Sequence, residues 1–96
     1  KMSYKLEFTK DYHPSKDIIK ALEAIGAIDQ SWHNDVCPSW SLNGKRLFID
    51  CESPKNREFK EMNRFFLTEY DEDTVYYDGG SFDEAMKIFN TKTLKG

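Results

Sequence analysis

The chain reads as a single α+β domain in two layers: an antiparallel β-meander with two helices packed on one face, in the order β-α-β-β-β-β-α. Three observations predict it. Asn43-Gly44 sits between two alternating apolar runs. Two stretches carry an apolar stripe at helical spacing behind a serine cap, and a second pair of β-rich runs meets at the acidic turn Asp71-Glu72-Asp73. A chain of 96 residues can bury a core as one domain without disulfides or metal.

Lys1 before Met2 reads as a leftover of expression, with Met2 the natural start. Residues 4–8, Tyr-Lys-Leu-Glu-Phe, alternate apolar with charged and predict a short half-buried strand. Pro14 suits a first helical turn and Ser15 is an alternative cap. The helix that follows sets Ile18, Ile19, Leu22 and Ile25 on one stripe, and Gly26 supplies the left-handed stop. Residues 27–35 join this helix to the first hairpin, with room for a short extended piece around 28–32 and a polar turn at Asn34-Asp35.

The hairpin over residues 36–51 is the centre of the reading. Asn-Gly is the preferred pair for a two-residue type I′ turn, where both positions need φ > 0. The turn fixes the register: Leu42 opposes Lys45, Trp40 opposes Leu47, Pro38 opposes Ile49 and Val36 opposes Cys51. One face is then Val36, Pro38, Trp40, Leu42, Leu47, Ile49 and Cys51, a core face with Lys45 at its tip. The other carries Cys37, Ser39, Ser41, Arg46, Phe48 and Asp50, open to solvent or a partner. Cys37 and Cys51 fall on opposite faces, which disfavours a disulfide between them. Pro38 cannot donate to a ladder, so the incoming strand starts near Ser39 or lies at an edge there.

Ser53-Pro54 reads as a cap and first helical position. Either a turn or two with Phe59 and Met62 inward, or an irregular loop, fills the stretch to about Asn63. Residues 64–70 and 74–78 form the second hairpin, whose register the loop leaves open. Gly79-Gly80 breaks the strand. Ser81 caps the last helix with Glu84 completing a capping box, and Phe82, Ala85, Met86 and Phe89 make its buried stripe. The tail over 91–96 is read as frayed.

Fourteen basic against seventeen acidic residues give a formal charge of −3. That balance argues against direct nucleic-acid binding. Two cysteines without close spacing point to a reducing cytoplasm. The sequence holds no signal peptide, transmembrane run or acylation motif, so no membrane is expected. Phosphate loops, dinucleotide fingerprints and calcium loops are absent, so no cofactor is expected. His13, His33, Cys37 and Cys51 lack the paired short spacing of a zinc site, and no metal is expected.

Two surfaces stand out. Trp32, His33, Asn34 and Asp35 form the densest polar cluster, next to Ser39, Arg46 and Phe48, an arginine and an aromatic among small hydroxyls, which is hot-spot chemistry. The acidic tip Asp71, Glu72 and Asp73 is the second, though such tips are usually solvated. A Cys/His nucleophilic site with Cys37 as thiolate, His33 as base and Asp35 or Asn34 as orienter is a sharper reading. Such a site also needs an oxyanion hole, and no Gly-rich turn or helix N-terminus is predicted beside Cys37.

Residues 32–40, Trp-His-Asn-Asp-Val-Cys-Pro-Ser-Trp, together with the hairpin and the closing Gly80-Ser81-Phe82-Asp83-Glu84-Ala85, resemble small uncharacterised bacterial and phage-encoded proteins of this length. Host-defence antagonists such as anti-CRISPR proteins recur in that group. They are compact, often acidic, and occlude a partner surface. The resemblance implies a phage-type inhibitor in the host cytoplasm, although the chain carries no motif diagnostic of that class. The expectation is therefore a non-enzymatic binding protein that inhibits or regulates a larger protein. A small-ligand or nucleotide binder is the alternative, and a Cys37-dependent enzyme the third.

Overall fold

The computed structural model describes residues 3–92. Its architecture is the α+β meander with helices on one face. One five-stranded antiparallel sheet runs in sequence order: β1 (Ile28–Asp29), β2 (Ser39–Leu42), β3 (Lys45–Ile49), β4 (Phe65–Glu69) and β5 (Val75–Gly79). Three helices accompany it: α1 (Tyr4–Glu7), α2 (Lys16–Ala24) and α3 (Phe82–Phe89).

The first hairpin forms in the predicted register, Trp40 opposite Leu47 and Leu42 opposite Lys45. Asn43 and Gly44 take φ of 52° and 76°, as a type I′ turn requires. The strand begins at Ser39, and the Pro38 carbonyl accepts the Ile49 N–H at 2.9 Å. Trp40, Leu47 and Ile49 point into a core completed by Leu22, Phe65, Leu67, Ala85 and Phe89. Both cysteines are free and buried.

Residues 4–8 are not a strand. Ser3 caps a helical turn there, its Oγ accepting the Leu6 N–H, and the Tyr4 N–H donates to Asp29 Oδ2 at 2.8 Å. Tyr4 also lays its ring 5.7 Å from Trp40 and edge-on to His13 at 5.1 Å. The edge position goes instead to Ile28-Asp29, paired to β2. Alternation over five residues fits a strand or a helical turn equally, and these long-range contacts decide it.

Ser15 is the cap of α2, accepting the Ile18 N–H, while Pro14 is buried just ahead of it. Leu22 is fully buried, and Ile18, Ile19 and Ile25 pack beside it. Ser53-Pro54 opens a short 3-10 turn, Pro54–Asn56. In the second hairpin Leu67 faces Tyr77 and Phe66 faces Asp78, with a bulge at Leu67/Thr68 that turns both Tyr76 and Tyr77 toward the core.

The capping box of α3 differs from expectation. Ser81 Oγ does accept the Glu84 N–H at 3.2 Å. The Ser81 N–H, however, donates to the Tyr77 hydroxyl at 3.0 Å, which in turn donates to Glu84 Oε1 at 3.2 Å. A tyrosine from β5 is inserted into the box, joining helix start to sheet. At the far end of α3 the Lys45 ammonium, buried rather than at an open tip, donates to the Thr91 carbonyl. Burial lowers its pKa. Residues 93–96 of the tail read as frayed lie outside the described residues, as do Lys1 and Met2.

Candidate functional site

Strand alternation sends Arg46, Phe48 and Phe66 to the face of the sheet away from the helices. That face is not left bare. The 30–37 connection covers one side of it, and Arg46 does the tying. Its Nε donates to Ser39 Oγ at 3.0 Å, and one terminal nitrogen donates to Asp35 Oδ2 at 2.9 Å and to the Gln30 carbonyl at 3.4 Å. Glu72 lies 3.9 Å from the other terminal nitrogen, and the guanidinium sits over the rings of Phe48 (4.8 Å) and Tyr70 (5.9 Å). Arg46 thus uses its donors inside the molecule, and Ser39 beneath it is fully buried. Neither presents the open contact surface that the strand pattern suggests.

Next to this knot a cavity of about 330 Å³ opens. Of the sequence-predicted residues, Asn34, Asp35, Phe48 and Glu72 line it. Glu72 reaches the rim from a left-handed backbone, φ 69°, held by its N–H on the Glu69 carbonyl. Asp71 and Asp73 stay exposed at the tip and take no part in the lining. Trp32 and His33 lie apart, their rings 4.1 Å from each other. His33 Nδ1 meets Glu7 Oε1 at 2.7 Å, and the His33 N–H donates to the same oxygen at 3.1 Å. These bonds hold the Glu7 carboxyl below its usual range.

The strand pattern put Cys37 and Asp50 on this face but missed the rest of the lining: Val36, Phe59, Met62, Asn63, Arg64 and Phe66. Val36, expected on the core face, is 38 % exposed; the irregular loop of the two alternatives forms, and in it Phe59 and Met62 are 44 % and 42 % exposed instead of inward. The 51–62 loop is stapled by Arg57, whose three guanidinium nitrogens donate to the carbonyls of Cys51, Met62 and Glu52. That staple sets Phe59 and Met62 at the cavity mouth. Phe48 and Phe66, cross-strand partners with ring centroids 6.3 Å apart, form its wall. The signal for Phe66 was its register with Phe48; the loop residues carry no periodicity that could have given them away.

Two titratable groups lie deep in this site. Cys37 is 5 % exposed, and burial pushes its thiol well above its ordinary pKa. His33 makes its side-chain bond to Glu7, and among the described residues no hydrogen bond joins it to Cys37. Asp50 is also 5 % exposed. Burial raises its carboxyl, against the Cys51 N–H that donates to Oδ1 at 2.8 Å.

A carboxylate shifted in this direction works against stability at neutral pH. The folded form holds its proton more tightly than the unfolded chain, so the stabilisation is complete below the ordinary value of 3.8 and is lost as pH rises through the raised folded value. Asp50→Asn keeps the acceptor for Cys51 and removes the buried charge. It is expected to stabilise the fold by about 1 kcal/mol at neutral pH, with the gain vanishing toward pH ~3, read by urea unfolding at both pH values.

Among the described residues no helix is long and apolar enough to cross a membrane, and no cluster of three or more metal-ligating side chains assembles. No family model matches the chain, and neither a curated protein nor a solved structure does. The functional reading therefore rests on this site alone.

Proposed function

We propose that this chain is a non-catalytic binding protein that covers a surface of a larger protein, as an inhibitor or regulator does, and that the cavity face is its contact surface. One observation carries the reading: Val36, Phe59 and Met62, three of the large apolar side chains left in water, converge on the mouth of one cavity. Scattered exposed apolar residues are ordinary, whereas grouped ones around a concave, aromatic-walled site mark a binding surface. Action on a host-defence component of a phage-infected cell is the specific form that the resemblance implies, with the protein in the host cytoplasm and neither nucleic acid nor membrane as direct partner.

The test is capture from host lysate by the full chain and two variants. The wild type and Leu6→Asp, which changes an apolar residue 77 % exposed and outside the lining, are expected to retain one stoichiometric protein. Phe59→Asp/Met62→Asp is expected to weaken that capture by at least about tenfold. Equal capture by all three chains would remove the cavity face from the reading. The size of the cavity also suits a small ligand. A single co-purifying molecule in native mass spectrometry, lost in the double variant, would move the assignment to that reading.

A further inference from the structure

We infer that the cavity receives a basic side chain, a lysine or arginine projecting from the partner protein, with the Asp50 carboxylate as its counter-ion. This rests on the binding reading above and names the chemistry of what binds. Asp50 has one oxygen committed to the Cys51 N–H. Its second oxygen accepts no protein hydrogen bond among the described residues. No fully buried polar side-chain atom lacks a partner, so that oxygen opens to the cavity that Asp50 lines.

The two arginines nearby favour its charged form from a distance, but neither donates to the carboxylate. Arg57 gives all three nitrogens to main-chain carbonyls. Arg64 donates Nε to the Asp50 carbonyl, not the carboxylate, and sets its guanidinium 5.1 Å from the Phe65 ring centre. Among the described residues no ion pair forms on Asp50. A buried carboxylate without a cation is costly unless something supplies one.

The rest of the cavity suits that cation. Phe48, Phe59 and Phe66 offer ring faces, to which ammonium and guanidinium groups are attracted. Met62 and Val36 match the aliphatic stem of a long basic side chain. At the rim, Glu72 is 54 % exposed in its side chain and lies 3.9 Å from Arg46, a separation that leaves it able to meet a second positive charge. Arg64 is the one basic residue in the lining, against the carboxyls of Asp35, Asp50 and Glu72, so charge and shape together favour a basic anchor over a purely apolar one.

Three short blocked peptides of one length provide the probes: Gly-Arg-Gly, its neutral isostere with citrulline, and Gly-Leu-Gly, each titrated into the labelled full chain by amide NMR. The arginine peptide is expected to shift the amides of Cys37, Phe48, Asp50 and Phe66, with the citrulline peptide at least about tenfold weaker. Asp50→Asn is expected to lose about that factor too, and Phe66→Leu to weaken the arginine peptide while its spectrum stays folded.

Citrulline or leucine binding as tightly as arginine would overturn the cationic anchor while leaving the contact surface intact. No shift from any peptide at about 10 mM would also overturn it, and the capture experiment would still decide the binding reading. Propylguanidinium binding as tightly as the peptide would overturn the protein source and assign the site to a free small cation.

Discussion

Arg46→Ala is expected to destabilise the protein by about 3 kcal/mol, read as a lower urea midpoint at unchanged m. Arg46 joins three segments distant in sequence: the 30–35 connection, the first hairpin and the acidic tip. Truncation strips the buried Ser39 hydroxyl of this donor and leaves the Gln30 carbonyl and Asp35 without theirs. Bonds to a charged donor contribute about 1.5 kcal/mol each where water is largely excluded, and the ring contacts with Phe48 and Tyr70 add to them. Asp35 is one-third exposed, so the ion pair alone is discounted.

The controls separate these parts. Asp35→Asn is expected to cost about 1 kcal/mol, well short of the alanine change. Arg46→Lys should recover less than half of the loss, because an ammonium cannot reach hydroxyl, carbonyl and carboxylate from one plane. If Asp35→Asn matched Arg46→Ala, the knot would be a simple ion pair and not a three-segment tie.

Gly79→Ala is the second large effect, about 2 kcal/mol. A Cβ at this position would stand 2.5 Å from the Tyr77 hydroxyl and 2.7 Å from its Cζ. The ring would have to move, and it carries the bonds to Ser81 and Glu84 that start α3. Tyr77→Phe alone should cost about 1 kcal/mol and give only partial relief in the double variant, since the hydroxyl contact goes but Cζ stays in place. The two changes are expected to be less than additive, because each breaks the same hydroxyl network. Gly80→Ala, with nothing within 4 Å of the new methyl, should be nearly neutral, and thermal unfolding of the four variants reads the contrast.

The meander was legible because its signals are local. Asn43-Gly44 dictates its own backbone, and alternation on either side then fixes which side chains go inward. Ser15 and Ser81 announce their helices for the same reason. Residues 4–8 could not be read in this way. Their helical turn depends on the Asp29 carboxylate and the Trp40 ring, partners that no window around Tyr4 contains.

The candidate site was only half legible. Phe48, Asp35 and Glu72 were in view, but not that Arg46 would draw their segments together from within. Asp50 was placed on the correct face by alternation. Its burial comes from a loop with no pattern, closed by Arg57 on bare carbonyls, and that kind of closure leaves no trace in residue periodicity.

Each strand of the sheet lies beside its neighbours in sequence, from the first to the fifth. The sheet can therefore grow from the Asn43-Gly44 turn outward between sequence neighbours, with the longest closure over residues 50–64, which favours rapid assembly. Ties spanning 25 or more residues, such as Tyr4 to Asp29, Glu7 to His33 and Lys45 to Thr91, cannot reward the chain until that platform exists. The two flanks of the chain are then expected to lock last and open first, with the slowest-exchanging amides in the central strands by hydrogen exchange.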